Sequence, residues 1–320
     1  MDERLRAIAR IHGVFTRREA LEQGYDDRSI SVELQTGRWT RVRRGAYVFA
    51  DSWRDLDERG RHRLVARAVL RNAKCEVALS HTSALMEFGT PHWDLDLSDV
   101  HLQRFDRKAG RREAGVVQHR GTVGVNDLTV RDGLLISSAT RLALDLTMIT
   151  DTEHALVAMD GLLQAGETTL ELLSQALQML TWWPHSLRTR LVLDLADGRS
   201  ESAGETRLRY LCWCQGLPRP VPQFEVRDHG RVIARLDLAL PELGVWLEFD
   251  GAIKYRSSWR EGDQPEDVVL REKHREDLIR RLTGWRCIRV TWADLRNPAA
   301  LAAKIRRAIN EQARVGRQAS

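Results

Sequence analysis

The spacing of apolar residues changes along the first fifty positions. Leu5, Ile8 and Ile11 recur at helical spacing before Gly13, and Thr16-Arg17-Arg18-Glu19 is a capping box that opens a second helix, closed by Gly24. Asp26 or Asp27 caps a third helix, which runs to about Thr36 and stops at Gly37. Trp39, Val42, Tyr47 and Val48 then mark two short strands around Arg43-Arg44-Gly45. Residues 53–72 predict a charged helix, Ser80 to Leu85 the start of another, Val100 to Leu102 and Gly115 to His119 strands, and 138–146 and 152–182 helices. Asp197-Gly198-Arg199-Ser200 is the clearest boundary, a turn ahead of a newly capped helix. From Ser202 onward the pattern is helix to Cys214, strands over 222–227, 231–240 and 245–250, helix over 265–282, strand over 287–292, and a last helix from Pro298 to about Gln312. Along 231–240, Val232, Ala234, Leu236, Leu238 and Leu240 are expected on one face, and Arg235 and Asp237 on the other.

This pattern predicts an α+β, multidomain chain: a winged helix-turn-helix over 1–50, a mixed α/β region over 51–198, and a third domain over 199–320 with an α-β-β-β-α-β core. In a winged helix the third helix would offer Arg28, Ser31 and Gln35 to a major groove, and Arg41, Arg43 and Arg44 on the wing would grip phosphates. The same three helices also suit a small domain that binds protein.

Composition narrows the classes. The chain has 320 residues, 42% of them hydrophobic, enough for packed interiors and against general disorder. No apolar run reaches the roughly 18 residues needed to span a bilayer. The start, Met1-Asp2-Glu3-Arg4, lacks the apolar stretch of a signal peptide, and Cys75, Cys212, Cys214 and Cys287 have no zinc-ligand spacing. The expectation is a cytoplasmic protein with reduced thiols. Net charge is +5, and lysine supplies only five of the 50 basic residues, leaving 45 arginines. Arginine suits bidentate contact with phosphate and guanine, and GC-rich coding inflates it equally well. His81, His101 and His119 are scattered, without ligand spacing, and are read as structural rather than as a metal site.

The chemistry-bearing pattern lies in the third domain. A loop of Pro241-Glu242-Leu243-Gly244 pairs Leu240 with Val245 and, counted back, brings Asp237 opposite Glu248. Directly opposed side chains have Cβ atoms about 4.5–5.5 Å apart, where like charges destabilise. A divalent cation bridging both carboxylates is one reason for them; a bulge that shifts the register is another. The same count sets Arg235 opposite Asp250 as a salt bridge. Glu205 is either the N3 residue of the capping box Ser202-x-x-Glu205 or a third carboxylate for the same cation, with Glu201 as fallback. On the helix over 265–282, with Asp263 near its cap, Val268, Ile279 and Leu282 form a packing stripe, and Lys273 and His274 are within reach of the carboxylates.

Glu205, Arg235-Leu236-Asp237, Glu248-Phe249-Asp250-Gly251 and Gly284 to Val290, in this order and topology, resemble the PD-(D/E)XK nucleases, in the branch similar to very-short-patch (Vsr) mismatch-repair endonucleases. The resemblance spans about residues 200–312. It implies a restriction-endonuclease-like core that hydrolyses phosphodiesters, with Asp237 and Glu248, helped by Glu205, holding Mg²⁺ or Mn²⁺ to polarise the phosphate and supply hydroxide. The lysine such nucleases carry two residues after the glutamate is here Asp250; Lys254 or Lys273 would stand in for it. The first fifty residues resemble the winged helix of AbiEi-type antitoxins, and Ser80-His81 and Arg141-Leu142-Ala143-Leu144-Asp145 resemble segments of the region that follows it. Two readings follow: a DNA-targeted, metal-dependent endonuclease, or a non-catalytic DNA-binding regulator of antitoxin type with a degenerate nuclease fold. The partners implied are double-stranded DNA, a cognate toxin or a second copy of the chain, and no membrane.

Overall fold

Local signals near the N-terminus are realised closely. Thr16 caps the second helix with both arms of the capping box in place, and Asp26 caps the third through Ser29. The structure is a computed structural model describing residues 2–106, 108–179, 186–251 and 265–319. It opens with helix α1 (Asp2–His12), strand β1 (Phe15–Thr16), helices α2 (Arg17–Glu22) and α3 (Asp27–Gln35), and strands β2 (Trp39–Arg43) and β3 (Ala46–Phe49). The strands form a sheet ordered β1-β3-β2, in which β1 adds a short third strand to the expected hairpin. Phe15, Trp39, Tyr47 and Phe49 fill the space between sheet and helices with Leu5 and Ile30, and the Phe15 and Trp39 rings meet edge to face at 4.7 Å.

The predicted helix over 53–72 is two, α4 (Ala50–Arg54) and α5 (Glu58–Arg71), because Asp57 accepts the amide of Gly60 and starts a new helix. Next come β4 (Val77–Leu79), α6 (His81–Phe88), β5 (Val100–Arg104), β6 (Arg111–Glu113), β7 (Val116–His119), β8 (Leu128–Arg131) and β9 (Leu134–Ser137). Their sheet has the order β6-β7-β5-β4-β9-β8, mixing parallel and antiparallel pairs. Four of these strands are short and were not expected. Helices α7 (Ala139–Ile149), α8 (Thr152–Gln164), α9 (Leu170–Met179) and α10 (Ser186–Leu195) follow. The long helix expected over 152–182 breaks after Gln164, where Gly166 has a φ of +71° and the Thr169 hydroxyl accepts the Leu172 amide to restart it.

The last elements are α11 (Ala203–Cys214), β10 (Val221–Asp228), β11 (Arg231–Leu240), β12 (Val245–Asp250), α12 (Pro265–Thr283), β13 (Arg286–Thr291), α13 (Trp292–Leu295) and α14 (Pro298–Ala319). The sheet order is β10-β11-β12-β13, antiparallel except for the parallel pair β12–β13, so the α-β-β-β-α-β succession stands as expected. Leu208 of α11 and Leu301 of α14 pack with Leu238, Leu247 and Phe249 on one side, while Ile279 of α12 packs with Leu236 and Trp246 on the other. Leu282, expected in the packing stripe of α12, is instead exposed.

The chain divides into two compact units: Met1–Ala158 with Gly166–Leu193, and Met159–Ala165 with Asp194–Ser320. In the first, Glu87 of α6 accepts hydrogen bonds from Arg63 and Arg67 of α5, and Arg71 bonds Glu19 and the Val14 carbonyl, tying α5 to the N-terminal helices. In the second, the buried carboxylate of Asp160 accepts from Arg209 at 2.5 Å, Thr206 at 2.7 Å and the Asp197 amide at 2.8 Å. That network explains why the end of α8 belongs with residues 194 onward.

Candidate nucleic-acid interface and carboxylate site

The third helix presents one polar face. Arg28, Ser31 and Gln35, spaced three and four apart, are all exposed on α3, while Ile30 turns into the core. Ser31 donates to the Asp27 carbonyl at 2.7 Å, leaving its oxygen as an acceptor. Asp27 in turn holds the Arg17 guanidinium at 2.7–2.9 Å, which joins the start of α3 to the start of α2. On the β2–β3 hairpin, Arg41 and Arg44 are exposed and Arg43 is half-buried. Arg43 and Arg44 line an open cleft together with Lys74 and Arg111, two cations that sequence reasoning missed because they lie far along the chain. Five of the six residues expected to touch DNA are thus exposed.

In the carboxylate site the expected strand pairing stops one residue short of Asp237. The β11–β12 register is the expected one through Leu240–Val245, Ala239–Trp246 and Leu238–Leu247, and there the pairing ends. Asp237 is the next residue. On the other side of β11, pairs Leu238–Pro222 and Leu236–Phe224 flank Asp237 and Gln223, whose φ is +51°. Across this point the strand changes face: Ala234 and Leu236 join the cluster with Ile279, and Leu238 and Leu240 join the one with Leu208. The expected single apolar face of β11 is therefore corrected to two, divided at Asp237 by a local irregularity. The Asp237 carboxylate accepts the Phe249 amide at 2.9 Å.

The remaining acids are held by other partners. Glu248 lies 3.6 Å from Arg275 of α12, and Asp250 lies 3.6 Å from Arg289 of β13. Arg235 pairs with Glu201 at 2.7 Å, where the register alone had set Asp250 against it. Glu205, fully buried, donates its amide to the N-cap Ser202 hydroxyl, while its carboxylate accepts from that hydroxyl at 2.9 Å, from the Glu201 amide at 3.0 Å rather than the Ser202 amide of a full capping box, and from Gln223 at 2.9 Å. Beside it, Gly204 lets Phe249 approach so closely that a Cβ there would lie 2.0 Å from the ring. Glu248, Asp250, Arg275, Arg289 and Cys287 line one cleft, and burial pushes the Cys287 thiol up, keeping it neutral. On α12 the cation beside Glu248 is Arg275. Lys273 lies on α12 by its backbone, His274 is exposed, and Lys254 lies outside the described residues.

Among the described residues, the ligand atoms of His81, His101 and His119 lie within 4.8 Å of one another, whereas Glu205, Asp237 and Glu248 do not cluster so closely. With arginines beside two acids and Glu205 engaged by three donors, the carboxylates as arranged do not fit a Mg²⁺ or Mn²⁺ centre.

Comparison with known proteins points to the other end of the chain. Residues 3–50 match the family described as transcriptional regulator, AbiEi antitoxin. The uncharacterized protein MT2308 of Mycobacterium tuberculosis (strain CDC 1551 / Oshkosh) is 26% identical over 289 residues, covering 90% of this chain and 98% of its own. The uncharacterized protein Rv2248 of strain ATCC 25618 / H37Rv is similar to the same extent. The crystal structure of RV2827C protein from Mycobacterium tuberculosis resembles 57% of this chain and 71% of its own, at 17% identity and a TM-score of 0.38. The AbiEi-type segment contains Arg28, Ser31, Gln35, Arg41, Arg43 and Arg44. No helix among the described residues is long and apolar enough to cross a membrane.

Proposed function

We propose that this chain is a DNA-binding transcriptional regulator of AbiEi-antitoxin type, which reads double-stranded DNA through α3 and the β2–β3 wing and acts with a cognate toxin. The observation that carries this reading is the family match over residues 3–50 together with the exposed face of Arg28, Ser31 and Gln35. In a winged helix that face meets base edges in the major groove while wing arginines neutralise phosphates. Binding measured by fluorescence anisotropy on selected duplexes is expected to weaken steeply with salt, because each neutralised phosphate releases counterions. A flat salt response would falsify DNA recognition by this surface.

A second reading, an endonuclease in residues 199–320, is supported by the α-β-β-β-α-β order and by Asp237 and Glu248 lying at one end of the β11–β12 pairing. The arginine partners of Glu248 and Asp250 weigh against it. Incubating supercoiled plasmid with Mg²⁺ or Mn²⁺ separates the two. The regulator reading expects no nicking by wild type; nicking that Asp237→Ala abolishes would establish the nuclease instead.

A further inference from the structure

We infer that His81, His101 and His119 form a binding site for a late first-row divalent cation, with Zn²⁺ the favoured occupant. Each offers one ring nitrogen, and the three nitrogens lie within 4.8 Å of one another. The topology explains how residues so far apart in sequence meet. Strands β5 and β7 run parallel with Gln103 opposite His119, so His101 and His119 stand on the same face as diagonal neighbours. Strand β4 pairs Leu79 with Leu102, and the Ser80 amide donates to the His101 carbonyl at 3.0 Å, which starts α6 beside His101. His81 then has a φ of +48°, a left-handed conformation rare for a side-chain-bearing residue, and its ring stacks on His119 at 3.7 Å between centroids.

The three ring nitrogens converge at a spacing that a single metal ion could bridge. His101 Nδ1 and His119 Nε2 approach to 2.8 Å, one donating to the other. A neutral imidazole ligates through one ring nitrogen and keeps its proton on the other, so the nitrogen that donates between His101 and His119 must pass its proton to the far nitrogen of its own ring when a metal takes the lone pair. Zinc with nitrogen ligands at about 2.0–2.1 Å needs nitrogens roughly 3.4 Å apart, so the 2.8 Å contact opens by about half an ångström while the other nitrogens draw in.

One ring nitrogen of the trio has an orienting partner: His81 Nδ1 lies 3.0 Å from the buried Ser80 hydroxyl, and in the tautomer that donates to it Nε2 is left to ligate, while the His101 backbone amide donates to Ser83 Oγ, itself 2.9 Å from His62 Nε2. The nearby cation Arg141 is balanced by Asp145 at 2.8 Å and Asp127 at 3.0 Å. Three imidazoles without a carboxylate or thiolate select nitrogen-seeking ions over Mg²⁺ or Ca²⁺.

The test uses untagged full-length protein, stripped with EDTA and then freed of chelator. Titration with Co²⁺ is expected to give the visible bands of tetrahedral cobalt, saturating at one ion per chain and bleached by Zn²⁺. His101→Asn and His119→Asn should each abolish the bands, while His229→Asn, on an exposed turn of the second unit, keeps them. Ser80→Ala, which removes only the hydroxyl beside His81, should weaken Zn²⁺ binding about tenfold. Circular dichroism of each variant checks folding, and the wild-type titration decides alone if a variant unfolds. Wild type that takes up neither ion, or bands that survive replacement of both His101 and His119, would overturn the proposal.

Discussion

The two units each gather ionisable side chains at one place, with opposite outcomes. In the second, Glu248 and Asp250 each have an arginine 3.6 Å away, and Asp160 holds Arg209 in the interior. In the first, His81, His101 and His119 face one another with no carboxylate in the group. Acids that already have protein cations as partners have little need of a metal, and in the buried Asp160–Arg209 pair removing the acid leaves a charge unbalanced. Neutral imidazoles gain most from a cation brought from outside. The residues that look like ligands by type are thus held as structural pairs, and those that look structural by spacing are the better ligand set.

This contrast makes several outcomes testable. The largest effect is expected from Asp160→Ala, which leaves Arg209 buried without its partner and should cost the second unit about 3–5 kcal/mol in urea unfolding. An unchanged midpoint would remove the case that its buried acids are architectural. Glu87→Ala in the first unit should cost somewhat less, since Arg67 is buried but Arg63 is 39% exposed. Burial pushes the Glu87 carboxyl up, yet hydrogen bonds from Arg67 and Arg63 outweigh it and hold the group below the ordinary glutamate range. Its native pKa is depressed, so its contribution is complete above the unfolded value of about 4.3 and is lost as pH falls through the native value. Acid titration of the first unit's stability should show that loss in wild type and not in Glu87→Gln.

Gly204→Ala drives a methyl group into Phe249, and overpacking of this kind costs roughly 1–3 kcal/mol, read as a lower unfolding midpoint of the second unit with DNA affinity unchanged. Arg28→Ala should weaken specific DNA binding by about 1–3 kcal/mol, whereas Arg44→Ala should lower the salt slope by about one with little loss of specificity. Identical effects from both would mean that α3 does not read bases. The smallest change is expected from Glu248→Gln, whose partner Arg275 is 43% exposed; stability should move by less than about 1 kcal/mol. A large rise in stability on that substitution would show strong repulsion among the carboxylates, and would revive the cation site there.

Much of the fold was legible because its signals are local. The caps at Thr16, Asp26 and Ser202 each fix a helix start through a side chain three residues from its target. The turn at 241–244 sets the β11–β12 register, since a short loop leaves one way to pair its flanks. The strands β4, β6, β8 and β9, three or four residues each, carry too few alternations to stand out and are defined by their neighbours in the sheet. The face change at Asp237 depends on Gln223 of the adjacent strand, and the arginines that meet Glu248 and Asp250 come from elements 27 and 39 positions later.

The sequence by itself determined the helix starts at Thr16, Asp26 and Ser202, the three-helix-and-hairpin pattern of the first fifty residues, the α-β-β-β-α-β succession of the last third, and the polar face of α3. These follow from periodicity and from contacts within a few residues. Only the tertiary structure decided which ionisable groups meet. Packing of α12 against the sheet gave Glu248 an arginine, and strand register and sheet order, set by distant segments, brought His81, His101 and His119 within 4.8 Å of one another. A ligand set is a matter of distances in space, and spacing along the chain reports those distances only where one element carries all the ligands.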